Sequence, residues 1–351
     1  MIRNNNALYK IYAIVFLVSS TLLTSYAQER TKSFSDLFES NEILNVRLES
    51  NFKKVFRNKD DTTSFDAVLS YLDENGNNER ISLQIRSRGV QRKIECSFKP
   101  LRLKFAKKDV ISTLFENQQA IKLVTHCRKQ KSYEQNTIQE YLIYRVFNIL
   151  TDTSFRVRPM QINYVYNGDR VDSIQKFGFI IERFKYMAER LDMITFKKMN
   201  FHPNRTDLDH MNLIDVFQFM IGNTDYSVFK LHNVKLIIDT VTHHRPLAVP
   251  FDFDWCGLIA AAYAKPNPMF GTKSVGERIY RGFELDAGKL QKIFDRFNLM
   301  HTEIFKIFED EPLLNKNEKR RVTRYLREFY NIINKPDAVY HFINVSRSLE
   351  I

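Results

Sequence analysis

Apolar and polar residues alternate along much of the first half of the chain, a pattern typical of half-buried β-strands. Residues 64–72 and 80–89 alternate on either side of the turn sequence DENGNNE, and this predicts a β-hairpin. A second hairpin is predicted for PMQINYVY and KFGFIIERF, which flank an Asn-Gly pair at 167–168. Two further short strands, PLRLKF and AIKLVTHC, lie between the hairpins.

Helical periodicity interrupts this half once and dominates the second half. Residues 133–150 place four apolar side chains on one helix face: Ile138, Leu142, Val146 and Ile149. The segments KYMAERLDMITFKK and LDHMNLIDVFQFMIG predict two more helices, and four amphipathic segments follow from about residue 285. Between them, VKLIID and PLAVPFDF predict a small hairpin. This order predicts an α+β chain of two lobes with a seam near 183–187.

The first 27 residues have the pattern of a signal peptide. Arg3 and Lys10 precede an apolar run at 11–23, and residues 25–27 (SYA) form a small-x-small cleavage site. We expect cleavage after Ala27 and a periplasmic or secreted protein; the alternative is a retained N-terminal anchor. No second apolar stretch approaches the roughly 18 residues of a membrane span, so we expect no transmembrane segment after cleavage.

The remaining chain divides by pattern into three parts. Residues 28–63 contain the amphipathic stretch SDLFESNEILNVRLES and predict a lead-in. Residues 64–185 form the expected β-rich lobe, and residues 186–351 the expected helical lobe.

The composition favours acidic partners. The formal net charge is +12, which suits nucleotides, nucleic acid or an anionic envelope surface. No stripe of Lys and Arg interleaved with aromatic residues is present, so we expect no nucleic-acid partner.

The three cysteines have no metal-binding spacing. In an exported protein an odd count suggests one bridge and one free thiol. Cys96 and Cys127 both lie at predicted strands and are the expected pair, whereas Cys256 lies in the apolar run WCGLIAAA. The alternative is three buried, reduced thiols.

Polar residues gather around the predicted small hairpin. Asp225 follows a helix and a Gly-Asn-Thr turn, Asn233 enters the first strand, and Asp252 ends the second. Because a hairpin returns its ends to one place, we expect Asn233 and Asp252 to reach one ion, and their oxygens are ligands that suit magnesium. Each residue also has a purely structural interpretation as a turn, cap or ion-pair residue.

This arrangement resembles a known family. GNTD and HN followed by PFDFD are similar to the catalytic loop and metal motif of atypical kinases of the HipA and CotH types. RSRG, FKPLRLKF and FGFIIERF resemble further CotH-type stretches, so that the similarity covers about residues 80–260. The resemblance implies a two-lobe protein-kinase-like fold with a β-rich N-terminal lobe and a mainly α-helical C-terminal lobe.

The resemblance also implies an ATP-binding site. Lys104 would neutralise the phosphates, and Arg86 and Arg88 would lie over them. Glu140 would pair with Lys104, and Glu182 would mark the hinge between the lobes.

For chemistry, the resemblance implies that Asp225 is the catalytic base and that Asn233 and Asp252 bind Mg²⁺ or Mn²⁺. Asp254 would replace Asp252 if the register were shifted by two residues. Two departures from the family pattern are an Asp225-to-Asn233 spacing of eight residues, against about five in protein kinases, and the absence of a glycine-rich loop.

The expected function is therefore transfer of a phosphoryl or nucleotidyl group from Mg-ATP to an unknown protein or glycan acceptor in the envelope. The alternative is a non-catalytic binding or scaffold protein of the cell envelope.

Overall fold

The computed structural model describes residues 36–58, 60, 62–167, 171–241 and 244–349. The expected signal peptide and its cleavage site lie outside the described residues. None of the helices within these ranges is both long enough and apolar enough to cross a membrane.

Seven strands form a closed barrel, in the order β1-β2-β3-β4-β5-β7-β6. Neighbouring strands are antiparallel except β1 and β6, which pair in parallel and close the barrel. The strands are β1 (Leu44–Ser50), β2 (Phe65–Leu72), β3 (Asn78–Ser87), β4 (Leu101–Phe105), β5 (Ala120–Val124), β6 (Val157–Asn167) and β7 (Val171–Ile181). Both predicted hairpins and both predicted single strands are confirmed.

The closed barrel shows that the expected two-lobe protein-kinase-like fold is wrong. Closure depends on β1, whose register runs from Leu44 opposite Met160 to Ser50 opposite Tyr166. We assigned β1 to an amphipathic lead-in, yet its buried and exposed positions alternate strictly at its start, as in a strand with one face on a core. The alternation is short and follows a helical turn at 36–39. In the sequence, the two segments together therefore look like one amphipathic stretch.

The described part of the chain also contains nine α-helices and a small sheet. The helices are α1 (Phe52–Arg57), α2 (Gln91–Glu95), α3 (Lys131–Leu150), α4 (Phe184–Arg190), α5 (Leu208–Ile221), α6 (Ala287–Leu299), α7 (His301–Glu309), α8 (Lys316–Ile333) and α9 (Ala338–Leu349). The small sheet has the order β10-β9-β8, with β8 (Ile194–Phe196), β9 (Val234–Ile238) and β10 (Leu247–Pro250). The predicted helix at 185–198 is too long, since α4 ends at Arg190 and β8 follows.

The described residues form two hydrophobic cores. One fills the barrel, and the other extends from α3 through α5 to the C-terminal helices. Ile138, Leu142 and Val146 of α3 are buried in this second core, on the face that the sequence predicted. Helix α3, expected in the β-rich lobe, therefore joins the barrel to the helical part.

Candidate functional site

The loop after α5 is held rigidly by its first residues. Gly222 ends the helix with φ +65°, and a Cβ there would lie 2.0 Å from the Tyr325 hydroxyl, so that any other residue would be strained and would have to displace Tyr325. The Asn223 Oδ1 then accepts a hydrogen bond of 2.9 Å from the Asp225 backbone N–H. These contacts fix the position of Asp225.

The Asp225 carboxylate contacts two neighbours at the far end of this loop. Its Oδ2 accepts a bond of 3.0 Å from Asn233 Nδ2, which also donates to the Asp225 carbonyl at 2.8 Å. Its Oδ1 lies 2.8 Å from His232 Nε2. The loop thus brings Asp225 and Asn233 together as expected, and it adds His232, to which we had assigned no role.

The β9–β10 hairpin brings Asp252 to the same place. Phe251 donates its backbone N–H to the Asn233 carbonyl at 3.0 Å. Asp252 is the next residue after Phe251, so it lies close to Asn233. Asn233 and Asp252 both have left-handed backbones, with φ of +51° and +66°. Such conformations are uncommon outside glycine and cluster at functional sites. The Tyr144 hydroxyl of α3 accepts the Asp252 N–H at 2.8 Å and holds this strained residue against the second core.

Asp254, two residues further on, faces the protein interior. It is 6% exposed, accepts a hydrogen bond of 2.9 Å from the Tyr263 hydroxyl, and lies 3.9 Å from the Arg92 guanidinium. Burial raises the pKa of Asp254 to about 6, and the negative charge of Asp252 makes a smaller contribution in the same direction. These contacts give Asp254 a structural position behind the site rather than that of an exposed metal ligand.

Basic side chains from the barrel face this acidic loop. Cross-strand pairing places Arg86 opposite Arg102, and Arg102 opposite Lys122, in one row over β3, β4 and β5. The Lys122 ammonium lies 4.6 Å from the centre of the Phe251 ring, beside Asp252. Burial lowers the pKa of Lys122 to about 8, and the positive charge of the neighbouring Arg88 lowers it to a smaller extent. The negative charge of Asp252 opposes this shift. A partly buried row of like charges is the arrangement that a polyanion would stabilise.

Arg88 directly follows β3 and lies near Asp252. Its backbone N–H donates to the Pro100 carbonyl at 2.8 Å, which extends the β3–β4 ladder. Burial lowers the pKa of its guanidinium, and the nearby Asp252 carboxylate partly offsets that effect. Arg88 is therefore near Asp252, and its expected place over a phosphate stays a prediction.

The expected pairing of Lys104 with Glu140 is wrong. Glu140 on α3 is 1% exposed and lies 3.5 Å from Arg92, while Lys104 is exposed on the outer face of β4. Lys104 lies opposite Ala120 on the neighbouring strand β5, two residues along that strand from Lys122. Counting the register from the predicted hairpin through β4 to β5 is the signal that would have selected Lys122, which stands on the strand preceding α3.

Glu182 directly follows β7 and has a structural role. Its carboxylate accepts two hydrogen bonds of 3.0 Å from Arg190 and one of 3.1 Å from the Arg156 backbone N–H. With its acceptor atoms engaged in this way, Glu182 joins the barrel to α4, and because the two-lobe fold is wrong it does not mark a hinge between lobes.

The oxygen atoms of Asp225, Asn233 and Asp252 are too few to hold a magnesium ion alone, and they suit one that is also bound by waters and phosphate oxygens. Within the described ranges, no group of three or more His, Cys, Asp or Glu side chains is placed to hold a metal. Asp252 and Asp225 supply carboxylates and Asn233 an amide whose Nδ2 is already bonded, which leaves its Oδ1 as the ligand atom. An all-oxygen set of this size fits Mg²⁺, which usually keeps waters and substrate phosphates in its coordination shell.

The chain matches no protein-family model and no curated protein.

Proposed function

We propose that this protein binds a nucleoside triphosphate together with Mg²⁺ and transfers a phosphoryl or nucleotidyl group to an acceptor. The observation that carries the proposal is the meeting of two opposite charges in one site. Asp225 and Asn233 are hydrogen-bonded to each other, and Asp252, at the end of the same hairpin, lies near the basic side chains of Arg88 and Lys122. A triphosphate with its metal ion is the ligand that satisfies both sides at once.

Residues of the loops would bind the metal ion, and residues of the barrel would bind the phosphates. Asn233 and Asp252 would hold the Mg²⁺ ion, which would neutralise the charge on the phosphate oxygens. Lys122 and Arg88 would bind those oxygens from the barrel side, and Arg86 and Arg102 extend the same basic row.

Asp225 would accept the proton of the acceptor hydroxyl, because its side chain is 35% exposed. His232, bonded to the same carboxylate and 54% exposed, would orient Asp225 or relay the proton to solvent.

A binding protein without transfer activity is the second candidate. One observation favours it: both carboxylate oxygens of Asp225 are engaged, one by His232 and the other by Asn233. An acceptor hydroxyl would have to displace one of these contacts.

We further propose that the chain is exported and that the acceptor is a protein or glycan of the cell envelope. The Cys96–Cys127 disulfide supports this, because such bonds persist in oxidising compartments. Sequencing the N-terminus of the mature protein tests the proposal: a chain beginning at Gln28 is expected, and one from a cytoplasmic fraction beginning at Met1 would contradict it.

Two matched variants test the proposed reaction. We expect Asp252→Asn to lower Mg²⁺-dependent ATP affinity by about 100-fold or more, because it removes the charged ligand. Asp225→Asn should leave ATP affinity within about threefold but suppress transfer by about 100-fold or more, because a base acts on the acceptor. Binding is measured by titration calorimetry, and transfer by ATP consumption in the presence of envelope extract.

Three outcomes separate the candidates. A parent that binds Mg-ATP but transfers nothing to any acceptor favours the binding protein. A parent that binds no Mg-ATP refutes the proposal. Equal binding by the parent and Asp252→Asn refutes the metal assignment.

A further inference from the structure

Helix α8, far along the chain from the candidate site, carries a large excess of positive charge. It contains six basic residues and two acidic ones. Both acids are already paired, because Glu318 lies 2.8 Å from Arg321 and Glu328 lies 3.3 Å from Arg278. Among the described residues, no ion pair neutralises three exposed arginines of this helix, which are Arg320, Arg324 and Arg327.

The three arginines lie along one groove. Their spacing of four and then three residues places them on the same face of the helix. The groove has a volume of about 540 Å³ and lies beside the end of α7. Its lining residues in the described part of the chain are Glu309, Lys319, Arg320, Thr323, Arg324 and Arg327. Four cations therefore face this groove together with a single acid.

This charge pattern does not stabilise the helix. Arg320 and Arg324 are separated by four residues and Arg324 and Arg327 by three, and like charges at these separations destabilise a helix. Lys316 and Lys319 lie in the first turn, at the positive end of the helix dipole, which also disfavours cations. A bound anion would offset both costs.

The groove is built on a firmly held element. The opposite side of α8 packs into the larger core through Val322, Leu326 and Phe329, whose side chains are fully buried. Arg321 adds a hydrogen bond of 2.6 Å from its guanidinium to the Leu258 carbonyl. At the groove itself, the Lys319 ammonium donates to the Glu309 carbonyl at 2.6 Å, which joins α8 to α7. The backbone that carries the arginines is thus fixed before any ligand arrives.

We propose that the groove beside α7 and α8 binds an anionic glycan, a linear chain that carries carboxylate, sulfate or phosphate groups. Arginine pairs with such groups through two parallel hydrogen bonds. With a rise of about 1.5 Å per residue, Arg320 and Arg327 are about 10 Å apart along the helix axis. Three cations spread over that length match a chain with repeated charges better than they match one small ion.

The lining residues distinguish this ligand from other polyanions. None of them is aromatic, whereas single-stranded nucleic acids are held largely by stacking of bases on aromatic rings. None of them is apolar, whereas a helix that lies on a membrane inserts an apolar face into the lipid. The inference does not rest on the proposed transfer reaction, since α8 supplies none of the residues assigned to it.

Titration calorimetry with a heparin octasaccharide tests the proposal. We expect Arg320→Gln/Arg324→Gln/Arg327→Gln to weaken binding by about 100-fold, because each basic residue near an anionic surface contributes about fivefold. The slope of log affinity against log salt concentration should become shallower by about 2, since fewer counterions are released. A parent that does not bind the octasaccharide would overturn the proposal.

Two control variants locate the binding site. Lys53→Gln/Lys54→Gln/Arg57→Gln removes the same charge from exposed positions of α1 and should keep the parental affinity. An equal loss in this variant would mean that only the net charge of the protein attracts the glycan. Arg102→Gln/Lys122→Gln should also bind as the parent does, and a loss there instead would place the glycan in the candidate site.

Two further measurements complete the test. The triple arginine variant should unfold at the same urea concentration as the parent or a higher one, because glutamine has a similar helix propensity and removes the repulsion. A lower midpoint would show that the arginines have a structural role and would overturn the proposal. A thymidine oligonucleotide of equal charge and phosphatidylglycerol vesicles should each bind at least about tenfold more weakly than the octasaccharide. Tighter binding of either would overturn the choice of a glycan.

Discussion

The two halves of the candidate site are built in opposite ways. The acidic half, with Asp225, Asn233 and Asp252, stands on loops whose flanking residues are buried in the larger core. The basic half, with Arg88, Arg92 and Lys122, stands on barrel strands and a short exposed helix held by a disulfide. Packing fixes the first half, while strand register and covalent anchoring fix the second.

This difference explains why the sequence groups Asp225, Asn233 and Asp252 but selects Lys104 in place of Lys122. The acidic residues lie within 28 consecutive positions, and a helix end followed by a hairpin brings them together by local geometry. The basic residues depend on which strand residue lies opposite which. Lys104 and Lys122 look alike in sequence, and only the pairing of Arg102 with Lys122 separates them.

The largest predicted effect tests the packing of the acidic half. Phe253 is fully buried between Asp252 and Asp254, with its ring 4.8 Å from Tyr144 and 5.6 Å from Phe217. We expect Phe253→Ala to reduce the free energy of unfolding by about 3–5 kcal/mol, measured by urea denaturation, because it leaves a cavity under the loop.

A control in the other core sharpens the comparison. Phe115→Ala in the barrel removes an equally buried ring and should cost a similar amount. At temperatures where both variants stay folded, only Phe253→Ala should weaken Mg-ATP binding. Equal losses of affinity would show that the two halves of the site are not anchored separately.

Much of the fold follows from the sequence, and the exceptions have a common cause. The two barrel hairpins, α3, α5 and the four C-terminal helices were predicted because each repeats a clear period over its own length. Closure of the barrel was missed because β1 and β6 are more than 100 residues apart and pair in parallel. No local signal encodes such a contact, so a closed barrel was mistaken for one lobe of a two-lobe fold.

The disulfide was predicted correctly, together with the buried free thiol of Cys256. What the sequence did not show was its place beside Arg92, since α2 was not predicted at all. Val90 and Ile94 look like core residues in sequence yet are exposed.

The next prediction tests the support under Asp225. Asp215 on α5 is buried and accepts a hydrogen bond of 2.9 Å from the Tyr226 hydroxyl, while its Oδ2 has no partner among the described residues. Burial raises the pKa of Asp215 to about 7 from its usual value near 3.8. The folded chain therefore retains a proton that the unfolded chain releases, and stability falls as the pH rises from about 4 to about 7.

Asp215→Asn removes this dependence while keeping an acceptor for Tyr226. Between pH 5 and pH 8 we expect the parent to lose about 2–3 kcal/mol more unfolding free energy than the variant, by urea denaturation at each pH. Parallel pH profiles for the two proteins would contradict a raised pKa and would mean that water reaches this part of the acidic half.

The smallest effect tests the register of the basic half. The pKa of Lys122 is lowered to about 8, so the free site loses this charge as the pH rises above that value. A bound triphosphate favours the charged lysine, and binding above pH 8 must therefore take up a proton. We expect Mg-ATP affinity to fall by up to about tenfold per pH unit between pH 8 and pH 10 in the parent.

In Lys122→Arg the affinity should stay nearly constant over this range, since arginine remains charged. Lys104→Gln should keep the parental affinity and the parental slope, because its side chain lies one row away on the exposed face. A Lys104→Gln variant that lost both would place the phosphate lysine on β4 and would show that the row through Lys122 does not bind the ligand.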